Sequence, residues 1–178
     1  MKAHIFAEGS NTTSEDQAQP ASEYFQGLFG MVAGLADELS ELAKTDLHIL
    51  SEEFGMVEGE QLISDAVDSA GEQSGNLREN AREELLTAAK EADVMVILLS
   101  TDTFDKTAGD IWTELVEAAK PDSIWCLSAA QSSLDSLNLR KLEERGCSVI
   151  TYQRVGVARI GTETREELLR NVSEKTSE

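Results

Sequence analysis

The stretch that decides the fold class of this 178-residue chain is DVMVILLS, residues 93–100. Its apolar residues follow one another without interruption between an acidic residue and a hydroxyl. A run that is this short and rich in Val, Ile and Leu is typical of a strand buried on both faces, as in a parallel sheet covered by helices. It is too short to span a bilayer.

Helical and strand patterns alternate on both sides of this run. Alternating apolar or continuous apolar segments predict strands over residues 2–7, 45–51, 93–100, 123–127 and 147–152. Apolar residues at spacings of three and four predict helices over residues 22–44, 77–92, 107–120, 133–145 and 164–172. We therefore expect one α/β domain over residues 1–172, a three-layer, doubly wound, mainly parallel sheet of about five strands with helices on both faces, and a frayed polar tail over residues 173–178.

Several boundaries follow from local signals. Residues 52–59, EEFGMVEG, are predicted as the turn after the second strand, and residues 101–106 as a polar turn after the central strand. Thr107 with Asp110 three residues later is a capping-box-like helix start. Gly146 stands where a glycine closes a helix.

Charge is the strongest compositional feature. Thirty-four acidic residues against fifteen basic ones give a net charge of -19. Because the acids are scattered and the hydrophobic content is 40%, we interpret the acidity as the surface of a folded protein adapted to high salt, which predicts a halophilic source. The alternative is an acidic mimic that competes for a nucleic-acid-binding partner.

The N-terminus and the cysteines bear on location. MKAHIFAEG has neither the charge pattern nor the apolar length of a secretory signal or an anchor, so we expect a cytoplasmic protein with no membrane segment. Cys126 and Cys147 form no CxxC and are expected to be buried free thiols.

Ligands of open α/β sheets bind beyond the carboxyl ends of the strands. The predicted ends carry hydroxyl, amide and charged groups that suit a nucleotide- or nucleobase-like anionic ligand, although turns are polar in any case. The candidate ligand-binding residues there are Ser10, Asn11, Ser51, Glu52, Gly55, Ser100 and Asp102.

Two arginines complete this list. Between residues 140 and 170 seven basic residues face five acidic ones, against the trend of the chain. Arg154 and Arg159 lie in the loop YQRVGVARIGTET, flanked by glycines and followed by a predicted helix start, an arrangement that favours an anion. Structural ion pairs with nearby glutamates are the alternative.

No specific catalytic or cofactor motif is present. The chain has no GxGxxG after its first strand, no GxxxxGK[ST] and no GxSxG, so catalytic residues stay unassigned and no cofactor is predicted. His4 and His48 lie within predicted strands without a partner at metal-ligand spacing, which predicts satisfied core or rim histidines and no metal site.

Two segments carry a family resemblance. LHILSEEFGMV, residues 47–57, resembles the strand-and-turn motif of the YaaA-like proteins, with Ser51 and Gly55 at motif positions, and PASEYF, residues 20–25, is similar to the start of their first long helix. The resemblance implies an α/β fold and links to nucleic-acid modification, modified bases and stress response. The family's serine and lysine cluster is replaced here by Glu8-Gly9-Ser10-Asn11, and the missing lysines argue against direct DNA binding.

Two functions are compatible with these observations. The first is a YaaA-like cytoplasmic protein that binds a nucleotide- or base-like small molecule at the strand ends, with or without catalysis. The second is a noncatalytic homo-oligomeric or protein-interaction module, in which the helix over residues 22–44, with Gly27, Gly30 and Gly34, forms a homodimer or docks a partner.

Overall fold

The structure is a computed structural model that describes residues 1–8, 29–51, 55–59, 64, 77–99, 101–129, 139–153 and 162–176. The strands in these ranges are β1 (Lys2–Glu8), β2 (Lys44–Ser51), β3 (Gly55–Glu58), β4 (Val94–Leu98), β5 (Ile124–Ala129) and β6 (Ser148–Gln153). The helices are α1 (Phe29–Ser40), α2 (Leu77–Glu91), α3 (Thr101–Lys106), α4 (Trp112–Ala118), α5 (Arg140–Glu144) and α6 (Thr162–Thr176).

The strands form one sheet in the order β3-β2-β1-β4-β5-β6. β1 pairs in parallel with β2 and β4, and β4, β5 and β6 continue the parallel ladder. Helices pack on both faces, so the predicted α/β class with a mainly parallel sheet is confirmed.

The sheet has six strands where we expected about five. The additional strand is β3, which occupies part of a segment predicted as a turn. It runs antiparallel to β2, with Ser51 opposite Gly55 and His48 opposite Glu58. Because Val57 is buried against the core, the short return segment gains both ladder hydrogen bonds and apolar burial, and it forms an edge strand.

The central strand β4 is buried along its whole length, as its apolar run predicts. Successive side chains alternate between the two faces of the sheet. Val94, Val96 and Leu98 lie in a core shared with α1 and α6. Met95 and Ile97 lie in a second core.

We call the core that contains Val94, Val96 and Leu98 the first core, and the core that contains Met95 and Ile97 the second core. α1 contributes Val32, Leu35 and Leu39 to the first core, and α6 adds Leu168 and Val172. The second core contains apolar side chains from α2, α3, α4 and α5, namely Ala81, Leu85, Ala88, Ala89, Phe104, Trp112, Leu115, Val116 and Leu142. The helix that follows β1 therefore lies on the opposite face from the helices on either side of β4.

The segment after β4 differs from the prediction. α3 is a helix where a polar turn was expected. Thr107 does not cap the next helix, because its buried hydroxyl donates to the Thr103 carbonyl of the preceding one at 2.7 Å. α4 begins later, at Trp112, with Ile111 in the N-cap position and no side-chain cap. The hydroxyl bonding backwards into α3 has overridden the local capping signal.

Other boundaries agree more closely. α1 ends at Ser40, before the predicted residue 44, because β2 already begins at Lys44. Gly146 follows α5 with φ of 84°, which confirms the predicted helix-closing glycine. α6 continues to Thr176, beyond the predicted end at residue 172.

The two cysteines are buried free thiols, as expected. Burial raises the pKa of Cys126 to about 12, and the charge of Glu167 adds to this shift. The thiol of Cys126 is therefore unreactive in the folded protein. Among the described helices, none combines the length and apolar character that a membrane crossing requires.

Candidate functional site

Few of the predicted ligand-binding residues at the strand ends lie in described segments. Ser51 ends β2 and pairs through its backbone with Gly55 of β3. Asp102 lies exposed in the first turn of α3 and forms an ion pair at 3.1 Å with Lys106, one turn later. The other candidates, Ser10, Asn11, Glu52, Ser100, Arg154 and Arg159, lie outside the described residues.

The strand order divides these candidates into three regions. β1 and β4 are neighbours in the sheet, so the candidates that follow them in sequence belong to one region. The connection between β2 and β3 belongs to a second region, on the β2 side of β1. β6, which precedes the arginine loop, is two strands from β4 on the other side. Since neighbouring strands are about 4.8 Å apart, β6 lies roughly 10 Å from β4.

The winding of the sheet changes direction between β1 and β4. The chain leaves β1 through α1 on the face of the first core and returns at β2. It leaves β4 through α3 and α4 on the opposite face and returns at β5. In open α/β sheets, ligands bind beyond the carboxyl ends of the strands at such a change of direction.

A second polar constellation lies beneath α2, on the face of the second core. His4 of β1 and His48 of β2 are 4% and 5% exposed, and His4 Nδ1 lies 2.9 Å from His48 Nε2. The ring centroids are 5.1 Å apart and the planes differ by 18°. Because the nitrogens are much closer than the centroids, the rings meet edge to edge in nearly one plane.

Each histidine also contacts a carboxylate. His4 Nε2 lies 2.7 Å from Glu91 Oε1 at the end of α2. His48 Nδ1 lies 3.0 Å from Glu58 Oε1 of β3. The result is a continuous chain of contacts, Glu91–His4–His48–Glu58, whose ends are half-exposed and whose middle is buried.

The packing around the pair fixes its geometry. Phe6 lies opposite His48 in the β1–β2 register, and their rings stack with centroids 4.4 Å apart. Burial lowers the pKa of His4, and the hydrogen bond to Glu91 opposes this effect only in part. Neutral His4 is therefore the stable form at neutral pH.

A third carboxylate completes the cluster. Glu84 on α2, Glu58 and His48 each offer one ligand atom, and these three atoms all lie within 4.8 Å of one another. The imidazole is buried while both carboxylates are exposed. We call His48, Glu58 and Glu84 the His–Glu–Glu cluster.

Sequence patterns did not reveal this cluster. Its members are separated along the chain and come from β2, β3 and α2, and β3 was predicted as a turn. We predicted that His4 and His48 lie within strands and have polar partners, and each ring does contact the other and a carboxylate. The sequence spacing could not identify those carboxylates. The one signal available was the placement of His4 and His48 at inward positions of two apolar strands.

The chain matches no family model, and no curated protein matches it. It is similar in structure to a flavodoxin of Streptococcus pneumonia TIGR4, with a TM-score of 0.45 and 13% sequence identity over 99% of this chain and 98% of that one. It is also similar to a flavodoxin from the domain Archaea, with a TM-score of 0.41 and 13% identity over all of both chains.

Proposed function

We propose that this protein is a cytoplasmic α/β protein that binds an anionic, nucleotide- or nucleobase-like ligand above the carboxyl ends of its parallel strands. The observation that supports it is the change of winding direction between β1 and β4. α1 packs in the first core and α2 to α5 in the second, so the crossovers lead away from this point on opposite faces. Ligands of open α/β sheets bind at such a point, beyond the carboxyl ends of the strands.

The sequence beyond these strands suits such a ligand. The chain continues from β1 with Gly9, Ser10 and Asn11 and from β4 with Ser100. Backbone N–H groups beside glycine, together with hydroxyl and amide side chains, are donors that phosphate oxygens and base edges accept. These four residues are the proposed contacts of the ligand.

Charge favours an extended ligand. A protein of net charge -19 repels anions unless cations lie close to the ligand. Arg154 and Arg159 follow β6, which is separated from β4 by β5. A ligand that contacts both regions extends roughly 10 Å across the sheet edge, which favours a nucleotide over a free base.

A ligand screen tests the proposal. Thermal unfolding is followed at molar KCl with nucleoside mono-, di- and triphosphates, dinucleotides, free bases and flavin mononucleotide. Flavin mononucleotide is included because the parallel strands β2-β1-β4-β5-β6, numbered among themselves, have the order 2-1-3-4-5. Some proteins with this order bind the flavin beyond the ends of the first and third strands. A ligand at one hundred times its Kd stabilises the folded protein by about 2.7 kcal/mol and raises its Tm.

The arginine loop provides the sharper test. Arg154→Ala or Arg159→Ala is expected to weaken binding of the identified ligand by about 1.5 to 3 kcal/mol, the range for a charge-assisted hydrogen bond. The urea midpoint stays unchanged. Arg140→Ala, at an exposed position of α5, is the matched control and leaves binding unaltered. Reduced stability with intact binding would instead assign both arginines to structural ion pairs.

The competing function has its own signature. If no compound binds and the protein dimerises with concentration, the noncatalytic homo-oligomeric module is the better description. The environment of Gly34 does not favour a dimer through this glycine. A Cβ added there would lie 3.3 Å from Arg165 Nη2 of the same chain. The close approach at this glycine is therefore made within the chain.

A further inference from the structure

We propose that the His–Glu–Glu cluster binds a divalent first-row transition-metal ion through His48 Nδ1 and one carboxylate oxygen each from Glu58 and Glu84, with water completing the coordination. The three ligand atoms lie within 4.8 Å of one another. Nitrogen and oxygen ligands bind such ions at about 2.0 to 2.2 Å, so two ligands of one ion are at most about 4.4 Å apart. His48 Nδ1 and Glu58 Oε1 already lie 3.0 Å apart, and both glutamates are exposed, which leaves their side chains room to rotate toward an ion.

The contacts around the two histidines are consistent with the assignment. Each carboxylate contact requires an imidazole N–H, and the contact between the rings requires a third proton. Two neutral imidazoles carry only two ring N–H protons between them. Without a metal, two neutral imidazoles therefore cannot donate in all three contacts, so one of these short contacts has no hydrogen-bond donor.

A metal on His48 Nδ1 removes this conflict. His48 then carries its proton on Nε2 and donates it to His4 Nδ1. His4 donates its own proton from Nε2 to the Glu91 carboxylate. Both imidazoles are neutral, each contact has one donor and one acceptor, and the ion takes the place of the third proton.

His4 and Glu91 are positioning residues in this arrangement. A metal-bound histidine commonly donates its second ring N–H to an acceptor that fixes its tautomer and orientation. His4 is that acceptor, and Glu91 fixes the tautomer of His4 in turn. Phe6, stacked on His48, holds the ring in place.

The donor set selects the class of metal. One imidazole with two carboxylates suits Zn²⁺, Co²⁺, Fe²⁺ or Ni²⁺ better than Mg²⁺ or Ca²⁺, which prefer oxygen ligands throughout. Three protein ligands with a position left for water are typical of a site where an ion acts on bound molecules. The exposed carboxylates place that position on the solvent side of the buried imidazole.

The first experiment measures Co²⁺ binding by visible absorption. Chelator-treated protein is titrated in molar KCl with excess Mg²⁺, which suppresses diffuse attraction of cations to the acidic surface. We expect one saturable site that Zn²⁺ displaces. Glu84→Gln lowers Co²⁺ affinity by about tenfold or more, while Glu83→Gln, at the adjacent exposed position of α2, leaves it unchanged. Equal affinity in both variants, or binding that never saturates, overturns the proposal.

The second experiment tests the outer hydrogen bonds. Glu91→Ala is expected to weaken Co²⁺ and Zn²⁺ binding by about tenfold. Glu91→Gln restores most of it, because the amide oxygen accepts the same proton from His4. Long-range ¹H–¹⁵N spectra are expected to show Zn²⁺ on Nδ1 of His48 and a proton on Nε2. Zn²⁺-independent His48 signals, or wild-type affinity in Glu91→Ala, contradict the assigned arrangement.

Discussion

At the scale of single residues, Asp93 shows how a few contacts decide the behaviour of a carboxylate. Its side chain accepts a hydrogen bond from the Lys2 backbone N–H at 2.8 Å and pairs with Lys120 at 2.7 Å. Burial acts to raise the pKa of Asp93, but these two partners outweigh it and lower the pKa below its ordinary value. The residue joins the start of β1 to the segment that enters β4.

This shift predicts a pH dependence. Because the folded pKa is depressed, the stabilisation is complete above the unfolded pKa of about 3.9 and is lost as the pH falls through the folded value. Asp93→Asn keeps the acceptor for Lys2 but loses the charge. We expect it to lower the free energy of unfolding by about 1 to 2 kcal/mol at pH 7. The difference from wild type shrinks as the pH falls below about 4.

Urea unfolding at a series of pH values measures this difference. Asp37→Asn, an exposed aspartate on α1, is the control for the loss of one negative charge from a very acidic protein. A deficit in Asp93→Asn that stays constant down to the lowest pH would show that packing, and not the ionised carboxylate, is responsible.

At the scale of elements, two glycines with opposite environments show what glycine does in this fold. Gly146 has φ of 84°, and a Cβ there would clash with Asp122 Oδ1. Gly34 lies within α1, and a Cβ there would meet only the end of the flexible Arg165 side chain. The first position requires glycine, whereas the second tolerates a methyl group.

Alanine substitutions at these two glycines should therefore change the free energy of unfolding in opposite directions. Gly146→Ala is expected to lower the free energy of unfolding by at least about 1 to 2 kcal/mol, the cost of the left-handed conformation for a residue with a Cβ. Gly34→Ala is expected to raise it by up to about 1 kcal/mol through helix propensity, less the adjustment of Arg165. Thermal unfolding of both variants measures the contrast, and destabilisation by Gly34→Ala would point to tighter packing at α1 than the geometry shows.

The same elements show how far sequence patterns reach. The alternation of 93–100 between two cores and the closing role of Gly146 were predictable, because both depend on local sequence. β3 was missed because a short strand is stabilised by its partner β2, which local patterns do not contain. The start of α4 was misplaced because the Thr107 hydroxyl bonds to Thr103 in the preceding helix.

The candidate sites follow the same division. The strand-end residues could be listed from predicted strand boundaries, since parallel strands place their carboxyl ends on one edge. Their separation into three regions depends on strand order, which sequence patterns did not supply. The His–Glu–Glu cluster depends on the register of β3 against β2 and on the placement of α2 above them, so it could be recognised only in three dimensions.

At the scale of the whole molecule, the two proposed sites occupy different parts of one sheet. The proposed ligand site belongs to the carboxyl ends of β1 and β4, which are neighbours at the centre of the strand order. The His–Glu–Glu cluster lies toward the β3 edge, on the face covered by α2. Separate positions make the two proposals independent, so the variants of one provide controls for the other.

The net charge of -19 governs the stability of the molecule as a whole. Described ion pairs such as Lys2 with Asp46 engage a few carboxylates, but acidic residues outnumber basic ones by more than two to one. Folding brings the excess charges together, and their repulsion is screened over about 10 Å at 0.1 M salt but about 3 Å at 1 M. The folded state therefore gains more from added salt than the expanded unfolded chain does.

We accordingly expect the urea midpoint to rise steadily from low salt to molar KCl, with an unchanged m-value, because the surface exposed on unfolding stays the same. NaCl at equal ionic strength is the control for specific ion effects, since screening depends on ionic strength alone. A sucrose series separates screening from general exclusion of cosolutes. A midpoint that does not change with KCl would contradict the salt-adaptation hypothesis and favour the acidic surface as a mimic that occupies a nucleic-acid-binding partner.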